Sequence, residues 1–210
     1  VRGIKDITVI AWAGDGGTYD IGLQALSGAA ERGDDILYIC YNNEAYMNTG
    51  IQRSGATPPR AWTKTTPKGK AEMKKNMPLI VAAHGASYVA TASVSHPIDL
   101  ARKVEKARDM ERFRYIEILI PCPTGWNFPV DKTVEVAKLA VETLVWPLFE
   151  IEGGVLKINY KPREKRPLSE YLRLQKRFAH LTDEEVALLE GMFEERWRAL
   201  LELEGKRVFV

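Results

Sequence analysis

The chain has 210 residues, 45% hydrophobic and 28% charged, which excludes whole-chain disorder because a disordered chain lacks the apolar content to offset ordering entropy. Thirty Lys and Arg against 28 Asp and Glu leave a formal net charge of +2, too balanced for a protein whose task is coating nucleic acid. No apolar run nears the roughly 18 residues a bilayer span needs, so no membrane helix is expected.

The start, Val1-Arg2-Gly3-Ile4-Lys5-Asp6, has neither a signal-peptide core nor a methionine, and the chain reads as cut from something longer. Residues 7–13, ITVIAWA, predict a buried strand that enters the Gly14-Asp15-Gly16-Gly17 loop. A helix over 19–32 follows, with Gly33 placed to end it. Residues 35–41, DILYICY, predict a second strand, and Asn42-Asn43 comes directly after. The stretch 44–70 is rich in Gly and Pro and reads as a long loop, which inside a compact domain is usually functional. The spacing then predicts a helix over 70–84, a strand over 88–93, a helix over 97–110, a strand over 115–120 and a helix over 131–145. Beyond Trp146-Pro147 come a hairpin over 148–160, a charged linker over 161–167 and a helix over 182–204 opened by the capping-box pattern Thr182-Asp183-Glu184-Glu185.

Strand–helix alternation implies an α/β fold with a mostly parallel sheet flanked by helices. Residues 1–145 are expected to form that domain. Residues 146–210 are expected to form a C-terminal hairpin and helical arm, too short for a core of its own. The arm helix sets Val186, Leu189, Phe193, Trp197 and Leu200 at three- and four-residue steps, a stripe expected to pack on partner subunits over well above roughly 1,000 Å².

Ligands of parallel sheets collect at the carboxyl ends of strands, where the loops after Ala13, Tyr41 and Ile120 all lie. Gly14-Asp15-Gly16 and Asn42-Asn43 are separated by 25 residues. Glycines let a backbone approach a diphosphate, and the next helix start offers free N–H groups. Asp15 and Asn43 bring hard oxygens from neighbouring strand ends and can hold one Mg²⁺ against that diphosphate. A Gly-Asp-Gly turn alone is compatible with an ordinary acidic cap; the interval and the Asn pair argue for a ligand site.

These residues, with Thr18-Tyr19-Asp20-Ile21-Gly22, Tyr46-Met47-Asn48-Thr49-Gly50, His84-Gly85-Ala86-Ser87-Tyr88-Val89-Ala90, Pro121-Cys122-Pro123-Thr124-Gly125-Trp126 and Leu168-Ser169-Glu170-Tyr171-Leu172, resemble the β subunits of 2-oxoacid:ferredoxin oxidoreductases, the pyruvate-oxidising type in particular. The resemblance covers most of the chain and implies the thiamine-diphosphate-binding fold. It implies oxidative decarboxylation of a 2-oxoacid, pyruvate by preference, to acyl-CoA, with electrons passing through an iron–sulfur cluster to ferredoxin. By the same resemblance Asp15, Asn43 and the Ala45 carbonyl are Mg²⁺ ligands. Gly14, Gly16, Tyr19, Asp20 and Ile21 line the thiamine diphosphate. Asn48 is the catalytic residue beside the thiazolium and the 2-oxoacid, although an Asn here also suits the turn.

Cys122 is implied as one thiolate of a [4Fe–4S] cluster whose other ligands lie outside this chain. From spacing alone a lone Cys is more often a small buried hydrophobe; its place between two prolines at a strand end argues for the ligand. Cys40 reads as core. His84, His96 and His180 read as capping or packed residues, and Met73, Met77 and Trp62 as packing. The partners implied are α and other subunits, including one that supplies the cofactor-activating glutamate. Two cysteines without a CxxC pair fit a reducing, cytoplasmic setting. Two other readings are a thiamine-diphosphate decarboxylase or carboligase without redox chemistry, and an assembly subunit that keeps only the fold.

Overall fold

A computed structural model describes residues 7–209, so Val1–Asp6 and Val210, the ends of the two expected units, lie outside the described residues. Strands β1 (Val9–Gly14), β2 (Ile36–Asn42), β3 (Tyr88–Ser93), β4 (Arg114–Leu119), β5 (Phe149–Glu152) and β6 (Val155–Ile158) form one sheet in the order β1-β2-β4-β3-β5-β6. The first four run parallel, and β5 and β6 continue the sheet antiparallel from β3. Every residue of β3 and β4 is buried, as a parallel strand covered on both faces requires. Leu37, Ile39, Tyr88, Ala90, Ile116 and Ile118 face α3 (Pro97–Arg108). The alternate residues Cys40, Val89 and Tyr115 face the other way, into a core shared with Leu26 of α1 (Leu23–Arg32) and Val81 of α2 (Met77–Ala83).

Two boundaries differ from the sequence reading for local reasons. The helix expected over 70–84 begins only at Met77, because Asn76 caps it by accepting the Leu79 N–H (3.4 Å) and Pro78 sits in its first turn. Pro78 has no N–H for an interior helical bond, so the Asn-Met-Pro triplet was itself the start signal. The helix expected from Tyr19 begins at Leu23, preceded by a π-turn over Gly17–Ile21. The Gly22 N–H donates to the Gly17 carbonyl at 2.8 Å to close that turn. A Cβ on Gly22 would stand 2.2 Å from the same oxygen. Gly22→Ala is therefore expected to cost about 1–3 kcal/mol in denaturant unfolding; an unchanged midpoint would show that the turn relaxes freely.

The remaining helices are α4 (Pro123–Trp126), α5 (Thr133–Glu142), α6 (Leu168–Arg173) and α7 (Asp183–Leu203). The stretch after Trp146 does not stand off as an arm. Its hairpin is β5–β6, hydrogen-bonded to the main sheet, and α7 opens with the expected Thr182–Glu185 capping box. The stripe expected to want a partner is covered by the chain itself. Leu189 and Phe193 pack with α5 and α6, while Leu200 joins the core against β5 and β6. Each such burial is worth about 1.5–3 kcal/mol, which ties α7 to the domain.

The opposite edge is different. Along β1 and just before it, Ile7, Val9, Ile10 and Trp12 are all more than half exposed.

Candidate cofactor and metal site

β1 and β2 pair to their ends, Gly14 opposite Tyr41, so the loops that follow leave the sheet side by side. Ile120, just beyond β4, donates its N–H to the Asn42 carbonyl at 2.8 Å, which sets the Cys122 loop alongside. All three unusual loops thus meet at one corner.

Asp15 is buried there. Its Oδ1 accepts the Asn43 backbone N–H at 3.2 Å and its Oδ2 accepts the Ser54 hydroxyl at 2.5 Å. The Asn43 side-chain amide faces Asp15 Oδ1 at 3.0 Å and the Ala45 carbonyl at 2.9 Å. With the amide oxygen turned inward, it stands at these separations from the other two oxygens. Ligands at 2.0–2.1 Å from an octahedral Mg²⁺ are about 3 Å apart along an edge, so the spacing fits. With the nitrogen inward, the same positions are joined by two hydrogen bonds. Burial pushes the Asp15 carboxyl up to about 7, against the pull of the Ser54 hydroxyl and the Asn43 N–H. A divalent cation supplies the countercharge that so desolvated a carboxylate needs. Among the described residues no three His, Cys, Asp or Glu side chains gather to hold a metal. A cation at this corner takes one carboxylate and neutral oxygens, a set suited to Mg²⁺ and not to zinc.

The glycine turn is packed on one side and open on the other. A Cβ on Gly16 would stand 2.4 Å from the Tyr46 ring, whose hydroxyl donates to the Gly16 carbonyl at 2.9 Å. At Gly17 an added Cβ would meet only Ala13, at 3.9 Å, so that side of the turn is open to an approaching group. Thr18 locks the turn by donating to the Gly14 carbonyl at 2.8 Å.

The other expected residues are placed less uniformly. The Tyr19 phenol points inward and donates to Glu117, leaving only the Tyr19 backbone toward the turn. The Asp20 carboxylate accepts the Gly55 N–H at 2.8 Å and pairs with Lys75 at 3.0 Å, so it holds the long loop. Ile21 is 85% exposed on the lip of the turn. Asn48 is exposed on the turn bounded by the Tyr46–Gln52 bridge. The Cys122 sulfur is half-buried, packs with Met47 and accepts the Gly125 N–H at 3.4 Å as the cap of α4. It is neither sealed in aliphatic core nor grouped with another thiol among the described residues. Cys40 is core, and His84 is packed between Ser27 and Ile80.

Sequence reasoning missed the support beneath the cation loop. Glu44, between Asn43 and Ala45, has φ 64°, and its buried carboxylate pairs with Arg177 at 2.8 Å. The Arg177 guanidinium lies 3.6 Å from the Trp126 ring centre, and the Trp126 indole N–H donates to the Asn43 carbonyl at 2.8 Å. Ser54 was also missed. Nothing local marks Arg177, which acts from 133 positions away; Glu44 could have been suspected from its place between the expected ligands Asn43 and Ala45.

Residues 2–118 match the family of thiamine pyrophosphate enzymes, C-terminal TPP binding domain. The chain is 58% identical over 194 residues to pyruvate synthase subunit PorB of Methanothermobacter marburgensis, covering 90% of this chain and 67% of that protein. It is 51% identical over 210 residues to ketoisovalerate oxidoreductase subunit VorB of Pyrococcus abyssi, covering 97% and 68%. The chain belongs to the β subunits of the 2-oxoacid:ferredoxin oxidoreductases.

Among solved structures, the 2-oxoglutarate:ferredoxin oxidoreductase of Magnetococcus marinus, determined with 2-oxoglutarate, coenzyme A and succinyl-CoA bound, superposes with a TM-score of 0.58 at 30% identity. The match covers 64% of this β subunit and 45% of that chain. The α/β fold expected from strand–helix alternation is therefore that of the family. The β subunit spans about two thirds of the length of the curated relatives it matches. Among its described residues no helix is long and apolar enough to cross a membrane.

Proposed function

We propose that this β subunit anchors thiamine diphosphate through Mg²⁺ held by Asp15, Asn43 and the Ala45 carbonyl, in a complex that converts a 2-oxoacid to acyl-CoA and passes the electrons to ferredoxin. The observation that carries the proposal is the Asn43 side-chain amide standing about 3 Å from both Asp15 Oδ1 and the Ala45 carbonyl, beside an open glycine turn. Bound thiamine diphosphate supplies the carbanion stabilisation that decarboxylating a 2-oxoacid demands. The chain's own part is binding and orientation. Asp15 contributes the one charged oxygen to the cation. Gly14 and Gly16, packed under the Tyr41 and Tyr46 rings, shape the turn that lines the diphosphate with the peptide groups of residues 19–21, and Gly17 leaves its side open. Asn48, exposed on its turn, reaches toward the substrate as the catalytic side chain of this subunit.

Pyruvate is the preferred substrate in this reading, supported by the 58% identity to a pyruvate synthase subunit. Cys122 gives one thiolate to a [4Fe–4S] cluster, tuned by the Gly125 N–H that points at its sulfur. The α subunit supplies the activating glutamate. Partner subunits cover the exposed β1 edge and the outer face of residues 146–210, and the whole works in the cytoplasm.

The test is the metal, thiamine diphosphate and iron content of the intact purified complex, with and without Cys122→Ser. Serine is a good helix N-cap, so this variant keeps α4. It is expected to assemble and retain Mg²⁺ and thiamine diphosphate, but to lose most of the cluster's iron and its electron-paramagnetic signal. An unchanged iron content removes Cys122 from the ligand set. A complex that retains neither Mg²⁺ nor thiamine diphosphate defeats the whole proposal.

A further inference from the structure

Beneath the cation loop lies a cavity of about 260 Å³, between the sheet face that carries Glu117 and the facing turns of α7. Its walls are mostly apolar, with Leu79, Trp146, Phe149 and Leu200 among them. Three cationic side chains line it, Lys74 and Lys75 from the long loop and Arg196 from α7, and Lys75 is paired with Asp20 at 3.0 Å. The Lys74 ammonium stands 4.2 Å over the Trp146 ring. Arg196 spends Nη2 on the Leu144 and Val145 carbonyls, while its buried Nε has no partner.

The charges around this space do not balance. Glu44, on the loop above, is committed to Arg177. Asp15 is turned toward Ser54 and Asn43. Glu117 is the carboxylate that lines the cavity, and its Oε1 already accepts the Tyr19 hydroxyl and, at 2.6 Å, the Asn42 amide. With Lys75 paired to Asp20, Lys74 and Arg196 face one carboxylate, and one positive charge is left over inside largely apolar walls. Burial pushes the Lys74 ammonium down from its ordinary value and the Arg196 guanidinium down to about 10. Removing a charge from water without a counterion is costly, and an anion entering the cavity relieves that cost.

We infer that this cavity binds an organic monocarboxylate with a compact branched or aromatic body, its carboxylate held by Lys74 and Arg196 and its body against Trp146 and Leu200. Volume and charge set the class. Pockets for drug-sized ligands run to roughly 300–1,000 Å³, so this one suits something smaller. A single surplus charge matches a monoanion, and a diphosphate would reverse the imbalance. The inference rests on residues of this chain and is independent of where Mg²⁺ and thiamine diphosphate bind.

The test is calorimetric titration of the intact complex with 4-methylpentanoate and with its neutral isostere 4-methylpentanamide. For a ligand of so few heavy atoms a Kd of about 1 mM is expected for the acid. The amide should bind about tenfold more weakly, the value of one charge-assisted contact. Lys74→Met, which keeps the apolar stem, should erase that difference. Lys74→Gln serves equally should the Met variant fail to assemble. Equal binding of acid and amide, no binding of either, or an acid preference that persists without the Lys74 charge overturns the inference.

Discussion

Asp15→Ala in the intact complex is expected to abolish retention of Mg²⁺ and thiamine diphosphate, lowering Mg²⁺ affinity at least about 100-fold while the fold survives. Loss of supporting groups around a metal ligand already costs about 10–100-fold, and in the proposed site Asp15 is a ligand itself and the only charged one of the three. The fold should tolerate the change because the carboxylate is buried and desolvated, so removing it offsets the loss of its hydrogen bonds to Ser54 and Asn43. Asp15→Asn separates charge from shape, since it keeps an oxygen for Ser54 and discards the negative charge. Metal analysis after gel filtration should find both variants depleted. Retention of Mg²⁺ by Asp15→Asn would mean that neutral oxygens suffice and that the carboxylate serves packing instead.

Arg177→Met is expected to destabilise the subunit by about 3–5 kcal/mol, because it leaves the Glu44 carboxylate buried without its countercharge. The same change removes the guanidinium stacked on Trp126 and the bonds to Gln175 (2.9 Å) and the Tyr171 hydroxyl (3.2 Å). Glu44 lies between the proposed ligands Asn43 and Ala45, and Trp126 holds the Asn43 carbonyl, so Mg²⁺ affinity should fall about 10–100-fold as well. Combining Arg177→Met with Glu44→Gln should recover much of the stability, since the stranded charge is gone, but not the affinity. Calorimetric unfolding and Mg²⁺ titration of the complex measure the two effects separately. Unchanged values in both would falsify the role given to this pair.

The elements and the corner where the site forms were legible in the sequence because they rest on local patterns. Apolar runs ended by Gly-Asp-Gly and Asn-Asn mark strand ends, and parallel pairing makes consecutive strand ends neighbours. The Thr182–Glu185 capping box is local in the same way, and so is the Asn76–Pro78 start of α2. Tertiary structure alone decided the rest. A hairpin's apolar alternation does not say which sheet it will bury against, so the union of β5 with β3 could not be read from residues 148–160. Nor does an amphipathic helix reveal whose core it covers, and the α7 stripe covers its own. The conformation of Glu44, on which the approach of Asn43 and Ala45 depends, is held by an arginine distant in sequence, and charge pairing across such separations leaves no periodic trace. The side chains of Tyr19 and Asp20 share a motif with Gly16 yet turn to other tasks, because a π-turn, not a regular helix, sets their directions.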